Sequence, residues 1–318
     1  MSSAEPVVAQ SNLSPASQTQ GTPVQARLFK ITDIPDAMEA IDWPVSAALM
    51  RHWFQGQPWP TENGGMSTRV KEHAEWPPAQ YIEESIVKMS WVASFDKVKP
   101  VLAELRRSWN NAAAMGQIRK HLLAAYGDKA PGCYPLVFPN LASAVERFGY
   151  FNSRPITFAK WGSEGLNDLR GALADFNLRV AAEGEVRVYA ERIEFQPRTL
   201  LFYAEDNYDF NDDGTVFSQP LGFWNFDGIA PSLLQAFAHN AGVDAVSQGI
   251  MQQSLFGMNT ENQRRYMDEQ SKRYMLVLNS HFAEYRTRYN KGGDFRVFSD
   301  LLREPLPPGT SAINIAKP

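Results

Sequence analysis

Cysteine is almost absent from this 318-residue chain. The single copy, Cys133, rules out an intrachain disulfide, a zinc ribbon and any cluster held by several thiolates. Within GDKAPGCYPLVF its thiol reads either as a nucleophile or as a small apolar side chain. With no disulfide to form, the chain suits a reducing or an oxidising compartment. Long apolar runs are missing too, and nothing approaches the roughly 20 residues that cross a bilayer, so no transmembrane segment is expected. The opening MSSAEPVVAQSNLSP has neither a basic nor an apolar leader region, which predicts that export would need a dedicated machine or a carrier. Positive charge is not in excess: 31 Lys and Arg against 35 Asp and Glu leave a net charge of -4, and no general attraction to nucleic acid follows.

Familiar catalytic signatures are also lacking. The five histidines (His52, His73, His121, His239 and His281) form no HExxH pair. The chain contains no GxSxG elbow, no GxxxxGK[ST] loop and no Rossmann fingerprint. The GGDF at 292–295 stops short of the GGDEF signature, and it reads as a helix C-cap followed by a strand. Lys291 with Gly292 and Gly293 would alternatively make a small anion-binding turn.

A hydrophobic fraction of 44% with 21% charged residues is that of a globular chain. Residues 1–26, rich in Ser, Gln, Pro and Ala, read as a disordered leader. The part from 27 to 155 reads as mainly helical: Val45, Leu49, Trp53 and Phe54 recur at helical spacing after Pro44, and two or three helices are expected between about 80 and 126. WPTENGGMSTRVKEHAEWPP reads as a surface loop. From 156 to 304 an α+β part is expected. It has a helix over 163–174, then strands where Val186, Val188 and Ala190 alternate with Arg187, Tyr189 and Glu191, and where Leu200, Phe202 and Ala204 alternate with Leu201 and Tyr203. Pro197 fits a turn or an edge. PLGFWNF is expected to extend this meander, residues 261–289 to form a helical run, and the Pro-rich tail at 305–318 to fray or lie along the surface. The fold class is therefore α+β: a helical N-terminal part with a C-terminal antiparallel sheet and packed helices.

The acidic stretch AEDNYDFNDDG holds the candidate site. As a hydrated turn between strands it needs Asp and Asn for local geometry alone. As a cation loop it would use Asp206, Asp209 and Asp213 on Mg2+ or Ca2+, which prefer oxygen ligands, although Gly214 is not followed by the Glu that closes an EF-hand. As a catalytic loop, Asp209 would activate water, Asp206 would orient it, and Tyr208 would donate a hydrogen bond to developing charge. His281 and His239 are candidates to approach this loop, and Arg286 or Lys291 would supply a cation for a phosphate.

Asp206-Asn207-Tyr208-Asp209 resembles the Asp-any-Tyr-Asp core of the colicin M family, bacterial toxins that cleave the lipid-linked peptidoglycan precursor between lipid and pyrophosphate. The His-Arg pair that follows in that family is replaced here by Thr215 and Val216. Over about residues 29–300, the combination of IPDAMEAIDWPVSAALMRHWF, DNYDFNDDG with PLGFWNF, and YRTRYNKGGDFRVFSD resembles an uncharacterised proteobacterial family often encoded beside type VI secretion genes. That resemblance implies a context of interbacterial antagonism without a mechanism: an antibacterial effector, whose 206–213 loop would act on a phosphorylated envelope precursor, or a noncatalytic adaptor, effector carrier or immunity-type binding protein. Its partners would be secretion-system, effector or immunity proteins. It would reside in the producer's cytoplasm, with delivery to a target cell in the effector case.

Overall fold

The computed structural model describes residues 27–159, 164–211, 218–253 and 260–318. The leader at 1–26 lies outside them. Eight strands form the main sheet: β1 (Ile82–Glu83), β2 (Gly132–Leu136), β3 (Asn152–Ile156), β4 (Phe176–Val188), β5 (Arg192–Tyr208), and three more that follow a smaller sheet in the chain. The smaller sheet holds β6 (Pro220–Asn225), β7 (Gly228–Ile229) and β8 (Met275–Leu278), and the main sheet is completed by β9 (Phe295–Phe298), β10 (Leu302–Pro305) and β11 (Ile313–Ala316).

The alternation read between 176 and 208 becomes the long β4–β5 hairpin at the centre of the main sheet. The far edge of β4 pairs with β3 and β2, and that of β5 pairs in succession with β9, β10 and β11. β1 joins β9 in parallel, so the sheet is mixed and not purely antiparallel. The α+β class stands, but the part from 27 to 155 contributes three strands as well as helices.

Four further expectations are corrected. Pro197 lies inside the central strand, tolerated because the register shifts there opposite Gly184 and because β10 ends at Thr199 while β11 starts at Phe195. PLGFWNF does not extend the meander; β6 pairs instead with β7 and β8. The helical run at 261–289 is interrupted, because the apolar MLVL of β8 pairs with β6 between two helices. The tail is no fringe: β11 buries Ile313 and Ile315 on the hairpin.

Helices cover the sheet. In chain order they are α1 (Ile34–Ala40), α2 (Pro44–Gln55), α3 (Thr68–Lys71), α4 (Met89–Val92), α5 (Val98–Ser108), α6 (Ala112–Tyr126), α7 (Ala142–Phe148), α8 (Asp168–Leu173), α9 (Leu233–Gln253), α10 (Thr260–Ser271) and α11 (Asn279–Tyr289). No described helix is long and apolar enough to cross a membrane. The principal core joins α2, α5 and α6 to one sheet face through Leu49, Trp53, Leu102, Leu105, Ile118, Phe195 and Phe202, all buried. A second cluster under α7 covers the other face with Ala181, Leu201, Tyr203 and Phe298.

Two polar contacts fix the elements around the sheet end. Asp168 of α8 accepts from the first free N–H groups of α2, Val45 N at 3.2 Å and Ser46 N at 2.8 Å, and from Ser46 Oγ at 2.7 Å. A carboxylate there satisfies donors that a helix start leaves without partners. The other is a buried knot around Asp294. Its carboxylate accepts from Arg286 Nη2 at 2.6 Å, Asn211 Nδ2 at 2.7 Å, Met66 N at 2.8 Å and Trp53 Nε1 at 2.9 Å. Glycine is required beside it: Gly292 has φ +97°, and a Cβ there would come within 2.5 Å of the Trp53 ring. The stretch from 59 to 78 is thus part surface loop, part core, since Trp59, Met66 and Val70 are buried.

Candidate functional site

Strand periodicity sends successive side chains of β5 to opposite faces, and at its C-terminal end both faces are polar. Asp206 and Tyr208 belong to the strand itself, paired with Val297 and Phe295 of β9, and the loop starts only at Asp209. The acidic stretch is therefore no hairpin turn. It carries the chain from the main sheet to the smaller one.

One face carries Glu205 and Asn207, together with Tyr203, Arg179 of β4 and Arg296 of β9. Arg179 Nη2 lies 2.9 Å from Glu205 Oε2, and its Nη1 pairs with Glu146 of α7. Tyr203 donates to the other oxygen of Glu146 at 2.6 Å. Arg296 Nε sits 3.5 Å from Glu205 Oε1 and donates to Asn207 Oδ1 at 3.2 Å. His73 closes the group, with Nε2 3.4 Å from Glu205 and Nδ1 3.7 Å from Glu146. Its backbone adopts φ +61°, a left-handed conformation that His tolerates better than most residues. Two arginines balance two glutamates, so an added proton would go unmatched. Burial, opposed by Glu205 but reinforced by Arg296 and Arg179, holds the His73 imidazole down at about 4.

That depression makes stability depend on pH in a defined direction. Between 6.5 and about 4 the unfolded chain protonates His73 while the folded chain does not, so this contribution is present above 6.5 and is lost as pH falls through the window. Denaturant unfolding of wild type and His73→Gln at pH 7 and pH 4.5 is expected to show a shallower acid loss in the variant. Equal losses would remove His73 as its source.

The opposite face opens into a cavity of about 990 Å3. Its wall combines Met38 of α1, Trp43 and Met50 near and on α2, Phe158, Leu166, Arg170 of α8, Asp206 and Tyr208 of β5, Leu221 and Trp224 of β6, Val277 of β8, and Asn279 and Phe282 of α11. Trp43 and Trp224 meet edge to face at 6.3 Å. Burial raises the Asp206 carboxyl well above the usual range, and the neighbouring carboxylates Glu205, Asp209 and Asp175 push it the same way. Among the described residues no salt bridge reaches it. Asp206 is half-buried in a wall that mixes aromatic and aliphatic side chains with several polar ones.

The other residues singled out from the sequence are distributed as follows. Tyr208 stacks on Phe295 at 4.9 Å and donates to Met50 Sδ at 3.8 Å, and burial raises its hydroxyl far above the ordinary value. Asp209 borders the cavity but pairs with Lys71 Nζ at 3.0 Å. Arg286, 3% exposed at its side chain, is occupied by Asp294 and by Gly292 O at 3.0 Å, so the cation expected for a phosphate is instead internal to the fold. His281 Nδ1 accepts from Leu278 N at 3.2 Å, capping its own helix, and His239 contacts Lys272 O at 3.0 Å. Asp213 lies outside the described residues. Among the described residues no group of three His, Cys, Asp or Glu is arranged to hold a metal ion.

Sequence reasoning missed the His73–Glu146–Arg179–Glu205–Arg296 group, whose members span more than two hundred positions. Only one signal was available: adjacent Glu205 and Asp206 in an alternating strand must face opposite ways.

Residues 29–311 match the family model of DUF6402, a family of unknown function. The chain belongs to the DUF6402 family. No curated protein and no solved structure matches it. The matched span runs from the start of the helical layer almost to β11, so both polar faces of β5 lie within the family's common region.

Proposed function

We propose that this DUF6402 protein works by binding a small, largely apolar molecule in the cavity at the end of β5, without chemistry of its own. The observation that carries this reading is the composition of that cavity. At about 990 Å3 it is at the upper end of typical ligand sites, much of its wall is aromatic and aliphatic, and two of its acids, Asp206 and Asp175, have no salt bridge among the described residues. A phosphoester hydrolase needs a cation for its phosphate and a second group to move the proton. Of the candidates for those tasks, Arg286 and His281 are engaged elsewhere, and Lys291 is exposed and not part of the cavity wall. Within the type VI secretion setting suggested by the resemblance, an adaptor, carrier or immunity-type role is thus better supported than cleavage of an envelope precursor.

A neutral environment-sensitive dye, Nile red, is expected to bind the full chain with enhanced fluorescence. Leu221→Trp, which adds bulk at a half-buried wall position, should abolish the enhancement while leaving the melting transition in place. Equal dye response in both proteins would overturn the reading. Inducible expression in the cytoplasm or periplasm of a susceptible bacterium separates it from the hydrolase: wild type, Asp206→Ala and Asp209→Ala should permit equal growth. Toxicity of wild type alone would restore the catalytic effector.

A further inference from the structure

We propose that the cavity takes an amphipathic organic ammonium ion, its head on Asp206 and its apolar body among the aromatic side chains. The inference rests on the binding reading above and names the ligand class. Charge is the first argument. Three carboxyl groups act on Asp206: Glu205 from the opposite face of its own strand, and Asp209 from the following loop and Asp175 from beyond α8, both in the cavity wall. Of the described cations near it, Lys71 pairs with Asp209, and Arg170, also in the wall, donates to two neutral carbonyls, Ala159 O at 2.9 Å and Glu164 O at 3.2 Å. Among the described residues no cation forms a salt bridge with Asp206, so this carboxyl is the wall group left for a ligand's positive head.

Hydrogen-bonding capacity points the same way. Asn279, 5% exposed and part of the wall, has an Oδ1 without a donor. Two of the wall amides are spent as donors: Asn207 Nδ2 on Lys71 O and Asn211 Nδ2 on Asp294. Acceptors in surplus call for a donor-rich ligand, and an ammonium head brings three N–H groups. Trp43 and Trp224 supply rings of the kind that attract a cation, and with Phe158, Tyr208 and Phe282 they supply area that buries an alkyl or aryl body.

Without ligand, Asp206 avoids an unpaired buried charge by keeping its proton. When R–NH3+ enters, the acid loses that proton to solvent and the carboxylate pairs with the ammonium, so one cation replaces another and one proton is released. Affinity for an ammonium should then rise with pH until Asp206 ionises in the empty cavity.

Competition against Nile red on the full chain tests this with three ligands of one chain length: octylammonium, octanol and octanoate. Octylammonium is expected to displace the dye at concentrations about tenfold lower than octanol, with octanoate weakest. Calorimetry in buffers of different ionisation enthalpy should register release of close to one proton below the Asp206 titration. In Asp206→Asn, an isosteric neutral change, both the ammonium preference and the proton release should vanish. If the dye binds and Leu221→Trp excludes it, yet octylammonium is no better than octanol or releases no proton, the ammonium assignment is overturned and the binding reading survives. Absence of dye binding overturns both.

Discussion

Asp294→Ala is expected to lower the unfolding free energy by about 3–5 kcal/mol, the usual cost of removing one partner from a buried ion pair. Asp294 is completely buried, and Arg286 beside it is nearly so. The truncation leaves a guanidinium without its counterion and strips the acceptor from Trp53 Nε1, Met66 N and Asn211 Nδ2. Each orphaned donor costs about 1–3 kcal/mol in isolation, but the terms overlap because all four meet at one carboxylate. Against a total stability of about 5–15 kcal/mol, this change would leave the chain close to its unfolding threshold. Asp294→Asn keeps the shape and some acceptance, so its guanidinium midpoint should fall between wild type and Asp294→Ala. A midpoint for Asp294→Ala within error of wild type would mean that the knot is held by packing alone.

Arg179→Leu should cost a similar amount, about 3–5 kcal/mol at pH 7, by a different route. Here the groups left behind are two carboxylates, Glu146 and Glu205, with side chains only 6% and 1% exposed. Arg296 still approaches Glu205 at 3.5 Å, but Glu146 retains only Tyr203 as a close donor. The expected signature is therefore acid rescue, because protonating the glutamates removes the unpaired charge. The deficit of Arg179→Leu should shrink between pH 7 and pH 5, opposite in sign to the acid loss assigned to His73. A second test is compensation: adding Glu146→Gln to Arg179→Leu should recover part of the loss. A deficit independent of pH would indicate that Arg179 acts through its contact with the Tyr150 ring, 4.3 Å away, more than through its charge.

These two sites explain why several sequence motifs resist a catalytic reading. The GGDF segment is conspicuous because Gly292 must pass the face of Trp53 and Asp294 must reach four donors at once. Arg286, attractive as a phosphate-binding cation when only its type is known, is the counterion of that aspartate. Asp206 differs from both. It lies half-buried in the cavity wall with no salt bridge among the described residues, and an acid whose titration the fold raises destabilises the fold as pH rises through it. Groups that weaken a fold in this way cluster where ligands bind.

The sequence by itself determined the local and periodic properties. It specified helices where Leu49 and Trp53 recur at helical spacing, and a long hairpin where Leu200, Phe202 and Ala204 alternate with their neighbours. These follow from 3.6- and 2-residue repeats, which need no knowledge of distant residues. It also singled out the acidic stretch. The tertiary structure alone decided what each acid there does. Asp206 and Glu205 are neighbours in sequence, yet one borders an aromatic cavity and the other neutralises buried arginines. Strand pairing with Arg296 and the approach of His73 and Glu146 settle that difference. The same holds for β8 and β11, apolar stretches too short to declare their state until β6 and β5 offer edges to pair with. Burial, partner charge and free backbone edges are set by residues far away in the chain, and these three quantities separate a structural carboxylate from one available to a ligand.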